Sequence, residues 1–244
     1  MTAQVVRAQT AMVVAPHALA AEVGCSVLRA GGNAVEAMIA ASATMMVAYP
    51  HMNGLGGDNS WLISRGGGPP MGIDAAGPAA GLADSAFYHA AGHRKIPSRG
   101  PLAALTVAGA VSGWQEALRL SAHWGAPLPL ARLLGAAVGH ARQGLAVART
   151  LHANADGKRR ELEDVPGFAE LFLPGGAALA EGQRFSQPRI AATLACLAQA
   201  GLDDFYRATS PAPWRATWRR RAARCGSMIS RPTPRGASTP CRWA

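Results

Sequence analysis

A double glycine followed by asparagine, Gly31-Gly32-Asn33, divides two alanine-rich stretches, and that break constrains how the chain up to Pro50 can fold. Upstream, Leu19, Glu22, Val23 and Leu28 follow Pro16 in a run that reads as a helix. Two successive glycines can adopt the positive φ that ends a helix. Asn33 suits the start of the next, because its side-chain oxygen can accept from first-turn N–H groups. The second helix carries Val35, Met38, Ile39, Ala43 and Met46 on one face, and Pro50 stops it. Residues 34–50 are too short for a spanning helix and are interrupted by Glu36, so they read as a buried core helix.

A glycine-rich loop follows, His51-Met52-Asn53-Gly54-Leu55-Gly56-Gly57-Asp58. Two short strands, Ser60–Ser64 and Met71–Asp74, flank the turn Arg65–Pro70. Beyond them the pattern becomes helical: Ala110–Ala122 with Val111, Trp114 and Leu118, then Leu128–Arg142 with Leu130, Leu133, Leu134 and Val138. A Gly/Pro-rich connection at Leu173–Gln183 leads to Gln187–Gln199, with Ile190, Leu194 and Leu197. Two strands among many helices do not complete a sheet, which predicts part of an α+β layered fold.

The 244 residues can bury a sizeable core, and 49% hydrophobic against 16% charged residues argues for a globular chain. A net charge of +10 would suggest a nucleic-acid partner, but its location excludes that for the body. Eight arginines and no acid lie between Pro211 and Ala244. Removing them leaves 16 basic against 14 acidic side chains, a balance of +2. No nucleic-acid and no membrane partner is expected. Met1–Thr10 has no continuous apolar run of the kind a signal peptide needs, which points to a cytoplasmic chain. Cys25, Cys196, Cys225 and Cys241 have no metal-ligand spacing, so neither a metal nor another cofactor is expected.

The glycine loop is the first candidate for chemistry. Glycines let backbone N–H groups approach a ligand, although such a loop can equally be a tight structural turn. No Gly-Lys-Ser/Thr follows it, so it is not a nucleotide-binding P-loop. His17, His51, His89, His93, His123, His140 and His152 are scattered and form no triad spacing. Asp74 ends a strand, where carboxylates either function or cap turns.

Taken in order, these segments resemble the γ-glutamyltransferase family. The resemblance rests on Arg29-x-Gly31-Gly32-Asn33-Ala34-Val35-Glu36-Ala37 and Pro50-His51-x-x-Gly54-Leu55-Gly56-Gly57. It continues through Thr106–Val111, Gly144–Val147 and Gln187-Pro188 to Asp204-Phe205-Tyr206-Arg207. It covers about residues 11–207, leaving 1–10 as an extension and 208–244 as a tail. The resemblance implies a four-layer αββα sandwich of the N-terminal-nucleophile hydrolases, made as a self-cleaving proenzyme. The part present here corresponds to the helical large-subunit portion. The freed Thr of such enzymes uses its own α-amine as base and passes an acyl group to water or an amine. That Thr is expected downstream, in a C-terminal half this sequence does not contain, so no catalytic residue is assigned and the chain alone is expected to be inactive. The candidate substrate-binding residues are Asn53, Gly56, Gly57, Asp58 and Asp74. Many members are periplasmic, which leaves that compartment open.

One departure bears on substrate. Members acting on γ-glutamyl compounds carry an arginine just after the second strand, which grips the substrate carboxylate. Here the run is Asp74-Ala75-Ala76-Gly77-Pro78-Ala79-Ala80, without arginine. The substrate class therefore stays open between γ-glutamyl compounds and small amides such as oxamate. A non-catalytic binding protein with a basic tail is the alternative.

From Ala208 the composition changes abruptly to Arg, Pro, Ser, Thr, Trp and Cys. Starting each codon on the third base of the previous one turns this tail into different text. Ala208-Thr209 then encodes Asp, Asn, His or Tyr, and Thr209-Ser210, for a TCN serine, an apolar residue. Trp214-Arg215 gives Ala for a CGN arginine, and Met228-Ile229 gives Asp. The restored run reads as an amphipathic helix continuing Phe205-Tyr206-Arg207, which points to a shifted reading frame. A solvated tail and a basic nucleic-acid arm are the other two readings. As written, residues 208–244 have no apolar period and five prolines, so no packed structure is expected there. Limited trypsin digestion should cut first at Arg219–Arg221 and leave the body comparatively protected. Equal resistance of that cluster and the body would contradict this.

Overall fold

In the computed structural model, the described residues are 7–80, 83–100, 102–103, 106–125, 127–165 and 167–207. The tail 208–244, with the expectations attached to it, lies outside them, as do residues 1–6 of the extension. The elements are α1 (Ala18–Arg29), α2 (Ala34–Ala48), β1 (Asn59–Ile63), β2 (Met71–Ala75), α3 (Ser85–Ala90), α4 (Ala110–Ser121) and α5 (Leu130–Gln143). After them come β3 (Leu145–Ala146), α6 (Arg149–Gly157), α7 (Arg159–Leu162), α8 (Phe168–Phe172), β4 (Arg184–Phe185), α9 (Pro188–Ala200) and α10 (Asp204–Arg207). The fold is mixed and dominated by helices with few strands.

The break between α1 and α2 forms as the local chemistry dictates. Gly31 has φ +88°, and the Asn33 side chain accepts from Val35 N (2.9 Å) and Glu36 N (3.0 Å). Glu36 Oε2 in return accepts from Asn33 N at 2.8 Å, completing a reciprocal capping box. Gly32 is glycine for a different reason than expected. Its φ is not positive, but a Cβ there would come within 2.6 Å of Val27 Cγ1 and 2.9 Å of Leu128 Cδ1.

Helix α2 does not present one apolar face. Val35, Ala37, Ile39, Ala40, Ala41, Ala43, Thr44, Met46, Val47 and Ala48 are all buried, while Met38 points out at 42% exposure. Alanines make this possible, because their small side chains let α1, α4 and α5 pack closely around α2. Gly24 lets α1 approach most closely, since a Cβ there would meet Val13 at 2.8 Å and the Ala37 carbonyl at 3.2 Å.

Around α2 the larger side chains fill the core. Trp114 is fully buried, and its Nε1 donates to Ser42 Oγ at 3.3 Å. Leu133, Leu134, Leu194 and Leu197 join it, each contributing about 2 kcal/mol of burial. Gln187 ties three helices together: its Nε2 donates to Val47 O (2.7 Å) at the end of α2, and its N–H to Ala141 O (2.8 Å) in α5.

β1 and β2 form an antiparallel hairpin, with Asn59 opposite Ala75 and Ser60 opposite Asp74. Each strand lies within a residue of its expected bounds. The β3–β4 pair, two residues long in each strand, gives no alternation to read from sequence. Helix α6 was likewise not expected, because only Leu151 and Ala155 are buried along it.

The Glu36 carboxylate is 1% exposed, and its Oε1 accepts from Leu128 N at 2.7 Å, 92 positions away. It thus holds two backbone donors, one local and one distant. Glu36→Ala should cost about 2–4 kcal/mol, measured by denaturant unfolding, because both half-buried donors lose their acceptor.

Candidate functional site

The hairpin register brings the glycine loop and the turn after β2 to the same end of the sheet. Asp58 directly precedes β1, Asp74 and Ala75 close β2, and the N-terminus of α4 packs on both. Gly57 O accepts from Gly109 N (2.9 Å) and Ala110 N (3.0 Å), so the first amides of α4 hold the loop. Asn59 Nδ2 donates to Ala110 O (2.9 Å), and Asn59 Oδ1 accepts from Trp61 Nε1 (3.0 Å).

This packing requires glycine on one face of α4. A Cβ on Gly109 would lie 1.8 Å from Ala75 O, and one on Gly113 would lie 2.0 Å from Asn59 Oδ1. On the opposing turn, Gly77 has φ +81°, and a Cβ there would lie 1.9 Å from Val107 O. The turn is fastened by Val107 N donating to Pro78 O (2.9 Å) and by a bridge between Ala79 and Thr106.

The candidate residues fall into two groups. Asn53 is exposed, yet its Nδ2 donates to Tyr49 O (2.8 Å) and Met45 O (3.4 Å), closing the C-terminus of α2. Asp74 is exposed, and its Oδ1 accepts from Ala76 N at 2.9 Å, so it shapes the turn after β2. Gly56, Gly57 and Asp58 are exposed on the loop. No steric demand of the fold accounts for Gly56: its φ is not positive, and a Cβ would meet nothing within 4 Å.

Sequence reading did not single out Asn59, Gly109, Ser112 or Tyr206 as site residues. Each has a partner tens of residues away; only Gly109 and Tyr206 lie in the quoted blocks, and nothing in the sequence marks Asn59 or Ser112. His51 packs its ring against Tyr49 at 4.1 Å, and neither ring nitrogen has a hydrogen-bond partner among the described residues. Burial pushes its imidazole below the usual value of 6.5. Among the described residues no group of three His, Cys, Asp or Glu could hold a metal ion, and no helix is long and apolar enough to cross a membrane.

The site is thus a glycine loop clamped between a hairpin and a helix N-terminus in a helix-dominated body. A sequence profile described as gamma-glutamyltranspeptidase matches residues 20–212. The chain belongs to the gamma-glutamyltranspeptidase family. It is 54% identical over 198 residues to the oxamate amidohydrolase proenzyme of Klebsiella pneumoniae, covering 80% of this chain and 37% of that protein. It is 35% identical over 196 residues to the glutathione hydrolase-like YwrD proenzyme of Bacillus subtilis, covering 80% of this chain and 36% of that protein. The chain thus spans little more than a third of these relatives. The solved gamma-glutamyltranspeptidase of Pseudomonas nitroreducens superposes with a TM-score of 0.77 at 26% identity, covering 92% of this chain and 64% of that one.

The two glycines that differ most in their surroundings should respond oppositely to a methyl group. Gly109→Ala should lose about 3 kcal/mol or more, because the overlap with Ala75 O forces α4 off the hairpin. Gly56→Ala should stay within about 0.5 kcal/mol of the parent in the same denaturant titration.

Proposed function

We propose that residues 11–207 form the large-subunit portion of an amidohydrolase acting on a small amide of the oxamate kind, rather than on γ-glutamyl compounds. The observation that carries this reading is the turn Asp74–Ala80. It holds only small side chains and proline where the resembled family places the arginine that grips the remote α-carboxylate of a γ-glutamyl group, whereas oxamate carries its carboxylate on the scissile carbonyl itself. The 54% identity to an oxamate amidohydrolase supports the same choice.

In this reading the nucleophile is a threonine in a segment not among these 244 residues. Its hydroxyl oxygen attacks the amide carbonyl, the C–N bond breaks, and the amine leaves with a proton. Water then cleaves the acyl ester and restores the hydroxyl. The residues in hand build one wall of the pocket. The Gly54–Asp58 loop, clamped through Gly57 O, offers backbone to a substrate, and Gly56 leaves the approach open.

The hairpin supports a missing complement. A two-stranded sheet is marginal by itself, and Leu62 on β1 is 80% exposed, an apolar side chain on a sheet face that no described layer covers. The shifted-frame reading of residues 208–244 belongs to the same proposal, supported by the family match ending at residue 212, close to the change in composition at Ala208. Resequencing the gene across codon 207 tests it; an intact frame removes it.

For the activity, the chain alone should neither split in two nor release ammonia from oxamate. Coexpressed with the remaining C-terminal part of the Klebsiella relative, residues 1–207 should release ammonia from oxamate and leave a γ-glutamyl anilide intact. Turnover by the chain alone would overturn the assignment of the nucleophile. Preference for the γ-glutamyl anilide would overturn the substrate class.

A further inference from the structure

Helix α4 cannot cap its own N-terminus. Its N-cap residue is Gly109, with no side chain to offer, and the approach of Ala75 O to 1.8 Å from any Cβ excludes a serine or aspartate there. The N–H of Ser112, third in the helix, therefore needs an acceptor from elsewhere.

That acceptor comes from the far end of the body. Ser112 N donates to the Tyr206 hydroxyl oxygen at 2.8 Å, 94 positions away. The same hydroxyl donates to Ala108 O at 2.8 Å. One hydroxyl thus bridges the two sides of the helix start, taking the N–H that an N-cap serine would take. The residues it brackets, Gly109 and Ala110, are the two whose N–H groups hold Gly57 O. Ser112 Oγ is not a substitute, since it donates to Gly109 O at 2.8 Å.

We propose that Tyr206 is a positioning residue for the glycine loop: a cap supplied from α10 that fixes the first turn of α4 and, through it, the Gly54–Asp58 segment. Its consequence for catalysis rests on reading that loop as the wall of the amide site; the mechanical coupling does not. Burial of the phenol is consistent with a hydroxyl that stays protonated to donate, since it raises the Tyr206 pKa above its usual 10.

The test is hydrogen exchange, followed by mass spectrometry, on the full chain and on Tyr206→Phe. Phenylalanine keeps the ring and its edge contact with Phe205 at 5.1 Å, and deletes only the hydroxyl. Segments 54–60 and 106–114 should exchange on the order of tenfold faster in the variant, while α5 and α9 stay unchanged. Parent-like exchange in those segments would mean that Tyr206 serves through its ring alone, and would overturn the proposal. Uniform acceleration across α5 and α9 would overturn it too, as would a variant that fails to fold by circular dichroism, because one cap should govern one turn. Oxamate turnover is not read in this experiment, so failure of the latch and failure of the amidase reading remain separate results.

Discussion

The packing of α2 against the connection that leads into α5 depends on a buried carboxylate. Glu36 sits in the first turn of α2 and accepts from Asn33 N on its own helix and Leu128 N on the connection before α5. Burying a charge without such partners would be severely unfavourable, so the carboxylate makes the position of that connection a condition of folding. Helix α5 starts two residues after Leu128 and packs on both α2 and α9. A local cap and a long-range tether are therefore the same side chain.

The second constraint is closeness. Where α4 meets the hairpin, Gly77 and Gly109 bring backbone against backbone, and Gly113 brings it against the Asn59 side chain, at distances no Cβ would allow. Such contact replaces side-chain interdigitation with direct hydrogen bonds, from Gly109 and Ala110 to Gly57 and from Asn59 to Ala110. The loop that results is held by main chain and carries no side chain over Gly56. Rigidity with open space above it suits a surface on which a small ligand is oriented.

Local chemistry was legible in the sequence wherever its partners were local. The Asn33 cap, the Gly31 stop and the hairpin all depend on residues within a few positions, and each is found within a residue or so of its expected place. The one-sided reading of α2 failed because alanine is too small to mark a face: Ala37 and Ala41 are buried as completely as Ile39. Glu36 read as an interruption of an apolar run, since Leu128 N cannot be inferred from a helical pattern. The glycine loop was legible as a candidate, but its clamp was not, because Gly57 and Gly109 are joined across the whole hairpin and the connection after it. Asn53 and Asp74 show the reverse: both stood out by type, and both make local bonds that end a helix or shape a turn.

The tie from Gln187 to Val47 has a consequence for synthesis. The side-chain amide that takes the Val47 carbonyl of α2 is made 140 residues after it. At roughly 5–20 residues per second, the ribosome needs roughly 7 to 28 seconds to produce it. Through that interval α5 can dock as it emerges, but α9, with Leu194 and Leu197, is still absent. A nascent chain therefore carries α5 without α9 packed against it, that apolar face open to chaperones and to other copies. Order of emergence, and not only final stability, therefore bears on the folding of this chain.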